Sequence, residues 1–230
     1  LFHLIPEGLP PGSDIGNLSL FGYDPRQTFS GRAPIEAARR GIRLKENEVA
    51  FRCNLVTLAD GVMKSFTSGH ISSEEAAQLI DALNAELSGA YPVRFHAGVS
   101  YRHLAIVTVE NGSVEALASV KCTPPHDISD QDYGPHLPSG EQSELVRAMM
   151  ESSRPVLAGH PVNEARIAAG KPSATSIWLW GQGRTPRMSS YRDRFGLTGA
   201  VISAVDLVKG IGVCAGLEVI DVPGATGYLD

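Results

Sequence analysis

The apolar residues of the chain recur at intervals that predict alternating short strands and helices. The clearest helix is predicted at residues 73–87, directly after a capping box formed by Ser72 and Glu75, and Gly89 follows its end. Its apolar stripe consists of Ala76, Leu79, Ile80, Leu83 and Leu87. This spacing indicates an amphipathic helix whose stripe is buried against a sheet.

Shorter patterns predict the other elements of the first half of the chain. Strands are expected at residues 49–58 and 93–97, and a short helix begins at Pro34. The apolar runs LAIVTV and SVEALASV are separated by the sequence ENG. Because Asn-Gly between two such runs is typical of a hairpin, we expect a β-hairpin over residues 104–120.

The second half of the chain combines a polar loop, helices and a βαβ unit. After the loop at residues 122–140, a helix is predicted at residues 141–152, with a capping box from Ser139 to Gln142. A further helix begins at Pro161, and SIWLWG predicts a strand. The runs GAVISA, VDLVKGIGVCAG and LEVIDV then predict a strand, a helix and a strand of the doubly wound type.

Composition and charge restrict the class of protein. The 230 residues are 43% hydrophobic and 20% charged, enough for one large globular domain or two small ones. The net charge of −5 argues against binding to nucleic acid or to an acidic membrane surface. No apolar stretch approaches the ~20 residues of a membrane-spanning helix, so we expect a soluble cytoplasmic protein.

The three cysteines and the two chain ends add further expectations. Cys53, Cys122 and Cys214 are widely spaced and form no CxxC, which predicts reduced thiols rather than a disulfide framework or a zinc site. The chain begins at Leu1 rather than at a methionine, and it stops abruptly at Asp230. We therefore expect a fragment of a longer protein.

Ser13 lies on a sharp turn, PPGSD, within a loop over residues 6–32 that is rich in Gly, Pro, Ser and Asp. The following residues, Asp14 to Leu20, have the pattern of a short helix. A serine in this position acts by default as an N-cap, which stabilises a helix by roughly 1 kcal/mol. A helix N-terminus also favours a phosphoryl group on or beside the hydroxyl. The spacing alone favours the N-cap role of Ser13 over a role in binding a phosphoryl group.

Polar clusters at the ends of apolar elements are candidates for binding a ligand. They are Arg102 and His103 in GVSYRHL, His126 and Asp127 in TPPHDI, and His160, Asn163 and Arg166 in HPVNEAR. Guanidinium and imidazole groups suit a small phosphorylated acid, although arginines at loop ends are more often only solvated. His126, Asp127 and His160 are alternative metal ligands, but no HxH or HxxxH spacing supports a metal site.

Trp178 and Trp180 alternate along a predicted strand and so lie on one face of it. We favour packing in the core or at a domain interface for both. Stacking against a substrate is the alternative.

Ten motifs of five to sixteen residues follow one another along the chain. They are PPGSDIGNLSLFGYDP, FSGRAPIEAA, AFRCNLV, GHISSEEA, GVSYRHL, PPHDI, GHPVNEAR, GKPSATSIWLWGQG, SAVDLVKGIG and VPGATGYLD. In this order they resemble the archaeal-type 2,3-bisphosphoglycerate-independent phosphoglycerate mutases, which belong to the alkaline phosphatase superfamily. The resemblance covers essentially the whole chain.

The resemblance implies a fold and a division into domains. The family combines a metal-binding, alkaline phosphatase-like doubly wound α/β domain with an inserted α/β (α+β) substrate domain. By this resemblance, residues 1–46 and 194–230 are portions of the metal-binding domain. Residues 47–193 are the inserted substrate-binding domain.

The resemblance also implies a reaction. Ser13 would take the phosphoryl group from 3-phosphoglycerate and return it to the 2-position of the bound glycerate, without 2,3-bisphosphoglycerate. Two divalent ions (Mn²⁺, Zn²⁺, Co²⁺ or Mg²⁺) would assist, one of them bound to Ser13 directly. The residues implied to hold the substrate are Arg102, His103, His126, Asp127 and Arg166, with Lys209 neutralising the phosphate.

The sequence departs from the family in one important respect. The Asp of the usual first-strand motif and the downstream Asp and His metal ligands are absent, which leaves Ser13 as the remaining metal ligand. We therefore expect this piece alone to be inactive.

Other functions stay open at this point. One alternative is another member of the superfamily, such as a phosphodiesterase, a phosphatase or a phosphopentomutase. A second is a non-catalytic module that binds phosphoglycerate. A homoserine-kinase-like activity is disfavoured because the sequence has no GxxxxGK[ST] loop.

Overall fold

A computed structural model describes residues 4–9 and 11–224 of the chain. The helices are α1 (Ser13–Leu20), α2 (Pro25–Thr28), α3 (Arg32–Arg39), α4 (Ser73–Leu87), α5 (Val114–Ala118), α6 (Ser143–Ala158), α7 (Pro161–Ala168), α8 (Tyr191–Phe195) and α9 (Asp206–Cys214). The strands are β1 (Glu48–Ala59), β2 (Val62–Ser65), β3 (Val93–His96), β4 (Arg102–Thr108), β5 (Ser176–Gly183), β6 (Ala200–Val201) and β7 (Glu218–Val219). This mixture confirms the α/β class.

The chain folds as two compact units. The continuous unit comprises Lys45–Gly183, and the split unit comprises the described residues up to Leu44 together with those from Arg184 onward. The family resemblance implies domain boundaries after residues 46 and 193. The later boundary falls at Arg184 because Met188 and Tyr191 pack on the apolar cluster of the split unit.

An antiparallel sheet organises the continuous unit around its long first strand. β1 pairs with β4 along one edge and with β5 along the other, and its end forms a hairpin with β2. β3 pairs with β4 on the outside of the sheet. Both edges of β1 are therefore paired, and its residues from Glu48 to Val56 are buried.

The main core of the continuous unit lies between this sheet and two helices. Phe51 and Cys53 of β1 belong to one cluster with Leu79 of α4 and Met149 of α6. All five predicted stripe residues of α4 are buried. The capping box is also confirmed, since Ser72 Oγ accepts from the Glu75 N–H at 3.2 Å and Glu75 Oε2 accepts from the Ser72 N–H at 3.1 Å.

The hairpin predicted over residues 104–120 is wrong in its second half. β4 is present, but residues after Gly112 form the short helix α5 rather than a strand. Ser113 Oγ accepts from the Ala116 N–H at 3.2 Å and caps this helix. The run that follows is rich in Ala, Glu and Leu, which favour helix, so a cap and helix propensity outweigh the Asn-Gly signal.

The predicted start of the helix after the polar loop is also wrong. α6 begins at Ser143, and the residue before it, Gln142, is in the left-handed region at φ 60° and makes no side-chain cap. The helix extends through Pro155 to Ala158 because Ser153 and Leu157 remain buried against the core. Tertiary packing therefore outweighs the missing N–H of the proline.

The split unit contains the predicted βαβ arrangement. β6 and β7 are parallel, and α9 connects them. The apolar cluster of this unit consists of Leu18, Tyr23, Ile35, Leu207, Ile211 and Ala215, contributed chiefly by α1, α3 and α9. The last motif, VPGATGYLD, lies outside the described residues from Ala225 onward.

Two glycines of α9 allow this close packing. A Cβ at Gly210 would lie 2.8 Å from Ile35 Cγ2 and still closer to the Ile35 carbonyl oxygen. A Cβ at Gly212 would lie 2.8 Å from Val201 Cγ2 of β6. The sequence KGIG therefore lets α9 approach both α3 and the sheet more closely than any other residue would permit.

The cysteines are reduced thiols, as the sequence predicted. Burial raises the pKa of all three thiols, to about 12 for Cys122 and about 11 for Cys214. A raised pKa keeps the reactive thiolate scarce at neutral pH. Within the described part of the chain, no helix has both the length and the hydropathy to cross a membrane.

Candidate active site

Ser13 is the first residue of α1, with Gly12 as the N-cap in extended conformation at φ −155°. The expected capping role of Ser13 is therefore wrong, because the cap position belongs to a residue that has no side chain. Ser13 is exposed, whereas Ile15 and Leu18 of the same helix are buried. The helix thus presents the Ser13 side chain outward, at the end where backbone N–H groups have no helical partner.

Asp14 completes the turn that presents the serine. Its Oδ1 accepts a hydrogen bond from the Ile15 N–H at 2.9 Å. A Cβ at Gly12 would collide with this same carboxylate oxygen. A side chain at position 12 would therefore displace the Asp14 carboxylate from its hydrogen bond to the Ile15 N–H.

Lys209 lies near the N-terminal end of α9, and its side chain is only 14% exposed. Its Nζ donates to Asp221 Oδ1 at 2.6 Å. Arg39 Nη2 lies 3.0 Å from both oxygens of the same carboxylate. The hydrogen bond from Lys209, together with the charge of Arg39, lowers the pKa of Asp221 below its ordinary value. We call Arg39, Lys209 and Asp221 the Asp221 cluster.

The described residues do not form a complete metal site. No group of three or more His, Cys, Asp or Glu side chains capable of holding a metal ion occurs among residues 4–9 and 11–224. Ser13 and Asp14 alone cannot provide the four to six ligands that divalent ions take in proteins. His160, one of the alternative metal ligands, instead caps α7 by accepting the Val162 N–H on Nδ1 at 3.2 Å.

In the continuous unit, the neighbouring residues Arg102 and His103 point to opposite faces of β4. Arg102 is exposed, and its guanidinium carbon lies 5.3 Å from the centre of the Tyr101 ring. His103 is 2% exposed, and its Nδ1 accepts from the Gly98 N–H at 2.9 Å. The strand therefore separates these two candidate residues.

His126 and Asp127 lie in a short 3₁₀ helix, Pro125–Ile128, and both are exposed. His126 Nε2 is 3.5 Å from Asp127 Oδ1. The imidazole also meets the Trp180 ring edge to face, with 5.3 Å between the ring centres. His126, one of the five substrate candidates in this unit, is thus in direct contact with Trp180.

Two further polar residues accompany Trp180, and we did not predict either as a site residue. Arg52 and Asn54 lie on β1, where Arg52 pairs across strands with Trp180 and Asn54 pairs with Arg102. The Arg52 guanidinium carbon is 4.3 Å from the Trp180 ring centre, and Trp180 Nε1 donates to Asn54 Oδ1 at 3.0 Å. We call Arg52, Asn54, His126 and Trp180 the Trp180 cluster.

The sequence contains one indication of this cluster. In the motif AFRCNLV, Arg52 and Asn54 alternate with apolar residues inside a strand that is otherwise hydrophobic. Polar side chains in a buried strand require partners, so the alternation indicates a polar patch on one face of the sheet.

The neighbouring tryptophan, Trp178, has a packing role. It is 1% exposed, its Nε1 donates to the Thr123 carbonyl at 2.8 Å, and its ring meets the edge of Tyr133. This confirms the expected core position for Trp178. Trp180 is also mostly buried, but it contacts the candidate residue His126.

Arg166 is 3% exposed, and all three of its nitrogens have protein partners. Nη1 donates to Glu75 Oε2 at 2.7 Å, Nη2 to the Ser68 carbonyl at 2.6 Å and Nε to the Pro172 carbonyl at 2.9 Å. The nearby Asn163 is also buried and donates to the Leu157 and Ala174 carbonyls. In this arrangement the motif HPVNEAR links α7 to α4 and to two loops.

Comparison with known proteins places these features in a family. Residues 1–163 match the profile of the family described as 2,3-bisphosphoglycerate-independent phosphoglycerate mutase. Proteins with that name from Methanosarcina acetivorans and Methanothrix thermoacetophila are 52% and 50% identical to the chain over 98% and 100% of its length. The chain spans about half the length of these curated relatives, 55% and 56% respectively.

Two solved structures resemble the fold. The cofactor-independent phosphoglycerate mutase from Thermoplasma acidophilum has a TM-score of 0.61 and 26% identity, covering 94% of this chain and 58% of that one. A protein from Pyrococcus horikoshii has a TM-score of 0.69 and 26% identity, covering 97% of this chain and 51% of that one.

The buried position of Arg166 predicts a structural rather than a binding effect on substitution. We expect Arg166→Met to lower the free energy of unfolding by about 3 kcal/mol, because it removes the cationic partner of Glu75 and the donor to two carbonyl groups. Urea unfolding of the chain measures this change. Arg102→Met, which removes an exposed arginine from the same unit, is the control and should change stability little. Equal stability of the two variants would contradict the structural role.

Proposed function

The chain belongs to the 2,3-bisphosphoglycerate-independent phosphoglycerate mutase family, and we propose that the full-length protein interconverts 3-phosphoglycerate and 2-phosphoglycerate without added 2,3-bisphosphoglycerate. The observation that carries this proposal is the exposed Ser13 side chain at the N-terminus of α1. Because the chain spans about half of its relatives, we expect this piece alone to lack turnover.

The proposed reaction consists of two phosphoryl transfers. In the first, a bond forms between Ser13 Oγ and phosphorus, the bond from phosphorus to O3 of 3-phosphoglycerate breaks, and the serine proton passes to O3. In the second, a bond forms between the 2-hydroxyl oxygen of glycerate and phosphorus, the bond from phosphorus to Ser13 Oγ breaks, and the proton of the 2-hydroxyl passes to Oγ. The phosphoryl group never reaches water, so the net reaction is an isomerisation.

The position of Ser13 suits it to hold a phosphoryl group. Backbone N–H groups at the start of α1 and the positive end of the helix dipole favour the negative charge of a phosphoserine. Lys209 belongs to the same unit, and α9 packs in one apolar cluster with α1. We propose that its ammonium neutralises phosphoryl oxygens during the transfer.

We also propose that two divalent ions, Mn²⁺, Zn²⁺, Co²⁺ or Mg²⁺, act in the full-length protein, with Ser13 as one ligand. When bound, such ions would ionise the serine and neutralise phosphoryl charge. The ligand groups among the described residues are too few to hold them, so their remaining ligands would have to lie elsewhere in the full-length protein.

For the continuous unit we propose a role in binding the glycerate part of the substrate. Arg102 and His126 are exposed and suited to bind a carboxylate or a hydroxyl group. Arg52 is added to the candidates because its guanidinium carbon lies 4.3 Å from the centre of the Trp180 ring, which His126 also contacts, although Arg52 is only 7% exposed. His103, Asp127 and Arg166 complete the set implied by the resemblance. His103 and Arg166 are buried, which favours an indirect contribution from both.

We further propose that the split unit is part of the metal-binding domain and that the continuous unit is the inserted substrate domain. The substrate would be a small phosphorylated acid rather than a nucleic acid or a membrane. The net charge of −5 supports this view. We place the activity in the cytoplasm.

Replacement of the serine tests the proposed mechanism. The full-length wild type with Mn²⁺ should convert 3-phosphoglycerate to 2-phosphoglycerate, and Ser13→Ala should abolish conversion, because alanine cannot accept the phosphoryl group. A coupled enolase assay measures the product. Ser88→Ala, which changes an exposed serine of the continuous unit, should retain activity. Release of inorganic phosphate without 2-phosphoglycerate would contradict the mutase and favour a superfamily phosphatase.

Replacement of the stacked arginine tests substrate binding. Arg52→Lys keeps the charge but loses the planar guanidinium group, so we expect the KM for 3-phosphoglycerate to rise roughly tenfold. Steady-state kinetics of the full-length protein measure KM, and urea unfolding shows whether the variant remains folded. Arg94→Lys changes an arginine that pairs with Glu48 at 2.9 Å, and it should leave KM unchanged. An unchanged KM in Arg52→Lys would contradict the assignment.

A further inference from the structure

Two cations from different helices meet on one carboxylate in the Asp221 cluster. Lys209 Nζ lies 2.6 Å from Asp221 Oδ1, and Arg39 Nη2 lies 3.0 Å from Oδ1 and Oδ2. Asp221 is 61% exposed, whereas Lys209 is 14% exposed. The carboxylate therefore reaches the surface while the ammonium group stays mostly inside.

The position of Lys209 is electrostatically unfavourable without this partner. It lies near the N-terminal end of α9, where the helix dipole disfavours a positive charge. Its burial adds a desolvation cost that a buried charge avoids only by pairing. Asp221 offsets both costs, so the carboxylate determines whether a charged lysine is stable at this position.

The cluster lies at the edge of the sheet where ligands bind in α/β folds. β6 and β7 run parallel, so their carboxyl ends share one edge of the two-stranded sheet. Asp221 follows the end of β7, and α9 begins shortly after the end of β6. Lys209 and Asp221 therefore meet at the carboxyl edge, where a lysine can face a bound anion.

We propose that Asp221 is a positioning residue that fixes the Lys209 ammonium group for contact with the transferred phosphoryl group, with Arg39 fixing Asp221 in turn. This inference rests on the proposed function. The lysine side chain has four methylene groups and many rotamers, and one hydrogen bond to Asp221 selects among them. An ammonium group has three donors, and the hydrogen bond to Asp221 uses one.

A purely structural ion pair predicts a different result from a positioning residue. A structural pair would affect the amount of folded protein and leave the kinetics of the folded molecules unchanged. A positioning residue would alter kcat with little change in KM or stability, because misplacing a charge weakens its contact with the transition state. Asp206 offers a matched control, since it is a second exposed carboxylate and its Oδ1 lies 3.9 Å from Arg39 Nε.

The test compares Asp221→Asn, Asp221→Glu and Asp206→Asn with the wild type in the full-length protein loaded with Mn²⁺. Mutase kinetics, urea unfolding and calorimetric titration with inorganic phosphate are measured for each. We expect Asp221→Asn to lower kcat by roughly 10-fold to 100-fold while KM and the unfolding midpoint stay near those of the wild type. Asp221→Glu should recover most of the lost activity, and Asp206→Asn should match the wild type.

The phosphate titration separates this inference from the proposed function. If the wild type fails to produce 2-phosphoglycerate, the mutase function fails, and weaker phosphate binding by Asp221→Asn than by Asp206→Asn still supports the positioning role. Tighter or unchanged phosphate binding by Asp221→Asn would overturn it. Equal kcat values for Asp221→Asn and Asp206→Asn in an active enzyme would overturn it as well.

Discussion

The close approach of α9 to α3 at Gly210 determines the arrangement of the split unit. No side chain fits between Gly210 and the carbonyl group of Ile35, so the two helices pack backbone against backbone at this point. Arg39 lies four residues after Ile35 on the same helix face, and Lys209 is the neighbour of Gly210. The glycine contact therefore brings two cations from separate helices side by side. Asp221 relieves their mutual repulsion, because its carboxylate forms an ion pair with each of them.

In the continuous unit, the pairing of β1 on both edges likewise brings together side chains that are distant in the sequence. A strand with two paired edges and a buried face normally carries apolar residues, and Phe51 and Cys53 meet that expectation. Arg52 and Asn54 break the pattern, and both are stabilised by Trp180, one through ring stacking and the other through a hydrogen bond. Trp180 thus offsets part of the cost of burying both polar side chains. Asn54 also donates to the Phe66 carbonyl at 3.2 Å, and the Trp180 ring contacts the exposed His126 as well.

The sequence predicts the fold correctly where an apolar pattern and a capping residue lie close together in the chain and indicate the same element. α4 is the clearest case, since its stripe and its capping box agree. At α5 the local signals conflict, because Asn-Gly indicates a hairpin whereas Ser113 caps a helix. The helix at Ser13 was predicted, but its cap was misplaced by one residue, because Gly12 has no side chain to indicate a cap.

The candidate site was only partly predictable, because residues distant in the sequence determine the role of each polar side chain. The sequence indicates Arg166 as a candidate for binding a ligand, and only the fold reveals that its three nitrogens donate to Glu75 and to two loop carbonyls. Arg52 was missed for the same reason, since its partner Trp180 is close in space but distant in the sequence. Lys209 was assigned through family resemblance, whereas its pairing with Asp221 became visible only in three dimensions.

The account depends most directly on Ser13 as the carrier of the phosphoryl group. The full-length protein can be mixed with 3-phosphoglycerate labelled with ³²P, quenched in acid within one turnover, digested and analysed by fragmentation mass spectrometry. The account predicts label on Ser13 and not on Ser19, which is buried in the same helix. Conversion to 2-phosphoglycerate with no label on Ser13, or with label on another residue, would contradict it.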